Sequence, residues 1–329
     1  MRTPPFRFRA RVAAGVAAVL LTGVTACGAG GSTSAAPRSD TAPLTASQAQ
    51  TRPAPSQGAV GRRLAELEKT HQMRIGAWAL DTGTGRVLTH RADERFPFLS
   101  TFKAIACGAV LHKARRSDPG LLDRVIHYTA ADLVPNSPVT KEHVETGMTV
   151  ADLCHAAITV SDNTAGNLVL RQIGGPAGHT AFLRSLGDRV SRHDRWETDL
   201  NLWSPGERRD TVTPRAWGRD LRELTLGRTL VPADRARLIG WMKAAGTGGA
   251  RIRAGLPGWS VGDKTGTGGT YGTANDIAIA YPPSGGAPLI FAITTNRRAS
   301  DGSADEKAIA DTAAILAEGL GARSVSRPA

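Results

Sequence analysis

The sequence predicts an α/β fold of the α+β kind: one five-stranded antiparallel sheet flanked by helices and built from both ends of the chain, with an all-helical insertion. Three observations predict it. Residues 74–90, "RIGAWALDTGTGRVLTH", read as strand, Asp-Thr-Gly-Thr-Gly turn and strand, a hairpin signal. Late in the chain, "WSVGDKTGT", "TANDIAIAYPP" and "LIFAITTN" are β-rich runs separated by Gly and Pro turns. Between these groups, from Leu99 to about Met242, the apolar spacing is mostly helical. The sheet domain is therefore expected at 59–91 and 243–323 and the helical domain at 92–242. The cleft between them is the natural site.

Each element has a local reason. "MRTPPFRFRARVAAGVAAVLLTGVTAC", residues 1–27, carries four arginines and no acid, then an apolar stretch too short for a comfortable membrane span. It reads as a secretory signal peptide. Its end, Val24-Thr25-Ala26-Cys27, resembles the bacterial lipobox, in which Cys27 would be lipidated after cleavage; the alternative is ordinary cleavage somewhat later. The protein is accordingly expected to be exported, either secreted or lipid-anchored on the outer face of the cytoplasmic membrane. Residues 28–58 are rich in Ser, Thr, Ala, Pro and Gly and read as a flexible tether. A short helix, Val60 to Lys69, precedes the hairpin. Thr149 with Asp152 forms a capping-box pattern, and Thr213-Pro214 opens another helix as N-cap and N1. The segment 191–212, "SRHDRWETDLNLWSPGERRDTV", is long, polar and without period, as functional loops of that length are. A last helix, Asp305 to Leu320, puts Ile309, Ala313, Leu316 and Leu320 on one face.

Composition excludes more than it proposes. The net charge of +12 falls to +8 once the signal's four arginines are removed, and the basic residues are scattered among acids rather than gathered in a stripe. That argues against a nucleic-acid partner. The eight histidines form no metal-ligand spacing, no Gly-Lys dipeptide exists for a phosphate-binding loop, and "DTGTGRVL" lacks the third glycine of a dinucleotide site. No metal or other cofactor is expected. With Cys27 in the processing site, Cys107 and Cys154 remain as a disulfide or as two buried free thiols.

The chemistry starts in "FPFLSTFKAIACGAVLHK", residues 96–113, a helical run that is apolar on nearly every side. Ser100 and Lys103 lie three residues apart, on one side of the helix, where a lysine is costly unless something pairs with it. Near a helix N-terminus Ser100 could be nucleophile and part of an oxyanion hole, with Lys103 as its proton acceptor or charge partner. Two further motifs follow in order: Ser161-Asp162-Asn163 between helical runs, and Lys264-Thr265-Gly266 on a strand. Taken singly these residues are ordinary turn, cap and strand residues. Their joint occurrence reverses that reading.

The set resembles the serine β-lactamase and penicillin-binding protein superfamily. "RWETDLN" narrows the resemblance to class A β-lactamases, because Glu197 and Asn201 stand at the spacing that class uses. The resemblance covers about Ala59 to the last helix. It implies hydrolysis of penicillins, and of cephalosporins beside them, through an acyl-enzyme, with resulting antibiotic resistance in a monomeric enzyme. By the same resemblance Ser100, Lys103, Ser161 and Glu197 are catalytic. Asn163, Asn201, Lys264, Thr265, Gly266, Thr267 and Arg251 bind substrate or water, the backbone N–H groups of Ser100 and Thr267 hold the oxyanion, and Asp162 is structural. Arg195 and Asp210 close the loop as an ion pair, and Cys107 and Cys154 fall where some members have a disulfide. Asn136 stands where the family commonly has an aromatic residue. The competing classes are a cell-wall peptidase, which lacks the glutamate of that loop, and a β-lactam-sensing receptor, which needs a membrane span joined to a signalling segment.

Overall fold

The computed structural model describes residues 54–322. The expected signal peptide, Cys27, the tether up to residue 53 and residue 323 lie outside them. The first helix, α1 (Gln57–His71), starts earlier than expected, so the tether boundary at 58 is corrected: the Ser56 side chain accepts from Ala59 N and caps the helix inside that span. The hairpin follows as β1 (Met73–Asp81) and β2 (Val87–His90). Asp81 shapes its turn, its carboxylate accepting from Gly83 N and the Thr84 hydroxyl.

The chain then crosses a short strand, β3 (Phe96–Pro97), and enters α2 (Phe102–Arg116). Two further short strands, β4 (Val125–Ile126) and β5 (Met148–Thr149), lead to α3 (Val150–Thr159), α4 (Asn163–Gln172) and α5 (Gly175–Ser185). Strand β6 (Thr211–Val212) precedes α6 (Pro214–Leu226), α7 (Pro232–Lys243) and the single turn α8 (Ile252–Gly255). The three late strands are β7 (Ser260–Thr267), β8 (Ala274–Tyr281) and β9 (Leu289–Arg297), and α9 (Glu306–Gly319) ends the described chain.

The five long strands form one sheet in the order β2-β1-β9-β8-β7, every neighbouring pair antiparallel. Both faces are covered, which is why the late strands read as almost unbroken apolar runs. Alternate residues feed two separate cores. Ile277, Ile279, Ile290 and Ala292 pack with α2 to α7, whereas Ala278, Ala280, Phe291 and Ile293 pack with α1 and α9.

At the centre of the helical side, α2 is buried at every position from Phe102 to Leu111. Each large apolar side chain there contributes ~1.5–3 kcal/mol by leaving water. The region expected to be all-helical also contains two small antiparallel pairs, β4–β5 and β3–β6. The second pair matters to the site. It sets Phe96 opposite Val212 and Pro97 opposite Thr211, so the end of the 191–212 loop is hydrogen-bonded just ahead of Ser100. Runs of two residues carry too little period to be read from sequence.

Candidate active site

Ser100 sits in a 3₁₀ turn, Leu99–Thr101, that runs directly into α2. Leu99 holds φ at +53°, a left-handed conformation that costs a non-glycine residue about 1–3 kcal/mol and persists only where packing enforces it. Strand β7 supplies that packing. A Cβ on Gly266 would lie 2.7 Å from Leu99 Cβ and 3.1 Å from Ser100 N, so glycine lets the strand lie against the nucleophile's turn.

One helical turn on, Lys103 is fully buried. Its Nζ donates to Ser100 Oγ at 3.0 Å, Ser161 O at 2.8 Å and Asn163 Oδ1 at 2.6 Å, and lies 3.1 Å from Glu197 Oε1. These acceptors offset the cost of a buried ammonium. Gly166 of α4 makes the room, since a Cβ there would meet Lys103 Cε at 2.8 Å. Burial pushes the lysine below its ordinary range, against the opposing field of Glu197. Burial alone would raise Glu197, but the charge and hydrogen bond of Lys103, with bonds from Ser100 and Asn201, bring its carboxyl down overall.

Ser100 Oγ donates to Glu197 Oε1 at 2.9 Å, which joins the helix to the loop. The glutamate is aimed by Asn167 of α4, whose amide bonds the Glu197 backbone twice: Oδ1 accepts from its N–H and Nδ2 donates to its carbonyl, each at 2.9 Å. Asn201, in the 3₁₀ turn Asp199–Asn201, donates from Nδ2 to Glu197 Oε2 at 2.7 Å. At the loop's ends Asp210, itself buried, takes the Arg195 guanidinium and the backbone N–H groups of Asp194 and Arg195.

Across the cleft, Ser161 also lies in the left-handed region, with φ +59°. Its hydroxyl accepts from Lys264 at 2.9 Å and faces Lys103 at 3.4 Å. Burial, and then the charge of Lys103, push Lys264 well below the usual lysine range. Asp162 caps α4 through Ala165 N and holds the opposite rim through Val139 N and Thr140 N. Asn163 gives its Nδ2 to Pro135 O. Asn136 turns back on the site, donating to Ser161 O at 3.2 Å. Thr265 shares a hydrogen bond with Thr247 at 2.7 Å.

Two expectations are corrected. Cys107 and Cys154 are not bridged; both are buried free thiols, and Cys107 Sγ faces the Cys154 carbonyl at 3.8 Å, packed as small apolar core groups. Arg251 does not offer an open guanidinium to a substrate carboxylate. It is buried, and all five of its N–H donors are engaged: Gly266 O and Asn275 O from Nη1, Thr267 Oγ1 and Glu306 from Nη2, Glu306 from Nε. It reaches the cleft only through the Thr267 hydroxyl. The sequence reading missed Gly166, Asn167, Thr247 and Glu306. Asn167 alone had a visible hint, lying on the helical face one turn beyond Asn163.

A serine flanked by a buried lysine and a buried carboxylate, with a second serine–lysine pair across the cleft, defines a serine acyl-transfer hydrolase. The chain belongs to the β-lactamase enzyme family, whose profile matches residues 59–320, and within it to class A. It is 54% identical over 260 residues to beta-lactamase AST-1 of Nocardia asteroides, covering 79% of this chain and 83% of that protein. It is 47% identical to the carbapenem-hydrolyzing beta-lactamase KPC of Klebsiella oxytoca, over 80% of this chain and 89% of that one. Among solved structures, the beta-lactamase from Streptosporangium roseum superposes with a TM-score of 0.80 at 60% identity, covering 81% of this chain and 100% of that one.

Proposed function

We propose that this β-lactamase opens penicillins, and cephalosporins beside them, through an ester on Ser100. The observation that carries the reading is the placement of Ser100 Oγ between an acceptor, Glu197 Oε1 at 2.9 Å, and a donor, Lys103 Nζ at 3.0 Å. With Lys103 donating to several oxygens, the Ser100 proton passes to Glu197 as Oγ attacks the lactam carbonyl. The backbone N–H groups of Ser100 and Thr267 hold the oxyanion. The C–N bond then breaks and the lactam nitrogen takes the Ser161 proton. Lys103 restores that proton, and Glu197 in turn reprotonates Lys103. Glu197 and Asn201 next hold a water; Glu197 takes its proton as the oxygen attacks the ester, and returns it to Ser100 Oγ as the ester C–O bond breaks. Lys264, Thr265 and Thr267 receive the substrate carboxylate, with Arg251 orienting Thr267, and Asn163 faces the acylamino side chain. The outcome is destruction of the drug and resistance in the producing cell.

Residues 1–27 are read in the same proposal as an export signal, with Cys27 as the lipidation site and the enzyme acting as a monomer outside the cytoplasmic membrane. The test of the mechanism is turnover of benzylpenicillin by the parent and by Glu197→Ala. The parent turns over repeatedly, whereas the variant loses about 10³-fold in kcat because Glu197 takes the proton in both steps, with formation and decay of the penicilloyl adduct each slowed when followed by mass spectrometry. A single burst in the parent, or a variant that deacylates at the parent rate, overturns the assignment.

A further inference from the structure

Away from the catalytic cleft, the 191–212 loop presents a second concave face. Trp203 and residues 205–208 line a cleft of about 530 Å³ together with Arg74, Glu94, Arg95 and residues 296–298, at and just past the end of β9. Five arginines and two glutamates line it, and the glutamates are already committed. Glu94 is paired with Arg74 at 2.9 Å and Arg91 at 3.1 Å, and Glu207 with Arg209 at 2.6 Å. Arg297 is spent on Ser303 O and His71 O. Arg95, Arg208 and Arg298 have no salt-bridge partner among the described residues.

The half-buried Arg95 is the most costly of these charges. Among the described residues its guanidinium donates only to Thr211 Oγ1 and Val190 O, each at 3.0 Å. Burial pushes its pKa down, and the neighbouring charges of Arg208, Arg192 and Arg184 push it further, against the opposing carboxylate of Asp188. A cation held against other cations is relieved by a bound anion. Trp203 lines the cleft with its ring and is only 5% exposed.

We propose that this cleft is a binding site for a small multiply charged oxyanion of the phosphate or pyrophosphate class, held by Arg95, Arg208 and Arg298. Planar guanidinium forks suit the paired oxygens of such a group. The site touches the loop that carries the catalytic glutamate, since Trp203 N donates to Asn201 O at 3.0 Å and Trp203 O accepts from Thr270. An anion there would join the loop to the end of the sheet.

Isothermal titration calorimetry with sodium pyrophosphate at constant ionic strength tests it. The parent gives saturable one-site binding. Arg208→Gln with Arg298→Gln, both exposed side chains, weakens it about tenfold or more while the thermal melt and benzylpenicillin turnover stay at parent values. A charge-matched control, Arg62→Gln with Arg237→Gln, alters exposed arginines outside the cleft and leaves the affinity unchanged. Absence of saturable binding in the parent overturns the proposal. So does equal affinity in all three proteins, which would place the anion elsewhere, or equal weakening in both double variants, which would reduce the effect to net charge.

Discussion

The two halves of the catalytic centre are held by different kinds of structure. Ser100 and Lys103 are carried into a helix buried on all sides, and Lys264 lies inside a sheet strand paired along its length with β8. Glu197 and Asn201 ride instead on a segment whose regular backbone amounts to one 3₁₀ turn and the two residues of β6. Its place depends on the Asn167 amide, the Asp210 carboxylate and the short β3–β6 pair. The contrast teaches where the enzyme is vulnerable. Positions fixed by burial of many apolar groups resist single changes, whereas positions fixed by two or three polar bonds move when one is lost.

The comparison breaks most visibly at Lys103. Lys103→Ala should slow acylation about 10³-fold, because Ser100 loses its charge partner and Ser161 its proton source. Stopped-flow acylation by benzylpenicillin reads this directly, and acylation at the parent rate would remove the lysine from the mechanism. Asn167→Ala sharpens the contrast from the other side. By misplacing Glu197, which takes a proton in both steps, it should slow acylation and deacylation alike and cut kcat about 10²-fold. Acylation and deacylation at the parent rates would mean that the Asn167 amide does not position Glu197.

Stability should divide in the same way. Arg195→Ala leaves the Asp210 carboxylate buried without its cation and should cost about 3 kcal/mol in urea unfolding. The smallest effect is a pH dependence. His179 of α5 and His193 of the loop are buried, with their Nδ1 atoms 3.0 Å apart. Burial pushes His193 down to about 4, against the nearby carboxylates of Asp210, Glu197 and Asp194, and pushes His179 well below its usual range as well. The unfolded chain takes up these protons below about pH 6.5 and the folded chain does not, so stability falls as the pH drops from there toward 4. For His193 alone the loss is about 2 kcal/mol near pH 5. His193→Leu should flatten that part of the curve, and an unchanged slope would show that the pair carries no such linkage.

Much of the fold was legible because its signals are local. The late strands read correctly from apolar runs of β-formers, and Thr149, Thr213 and Asp305 each cap the helix that follows them. The short pairs β3–β6 and β4–β5 were not legible, since two residues carry no period. Within the site, the closeness of Ser100 and Lys103 followed from their helical spacing. That of Lys264 and Ser161, 103 residues apart, rested on resemblance alone.

What the sequence determined by itself is therefore whatever one element can settle: which residues alternate along a strand, which cap a helix, and which reactive side chains share a helical face. Backbone geometry makes these relations functions of spacing alone. The tertiary structure decided the rest. It turned Asn167 onto the Glu197 backbone, engaged every donor of Arg251, left Cys107 and Cys154 as thiols, and kept Gly166 and Gly266 clear of the groups packed against them. Each of these depends on the distance between elements far apart in the chain. Close packing of the whole core sets that distance, and no single segment encodes it.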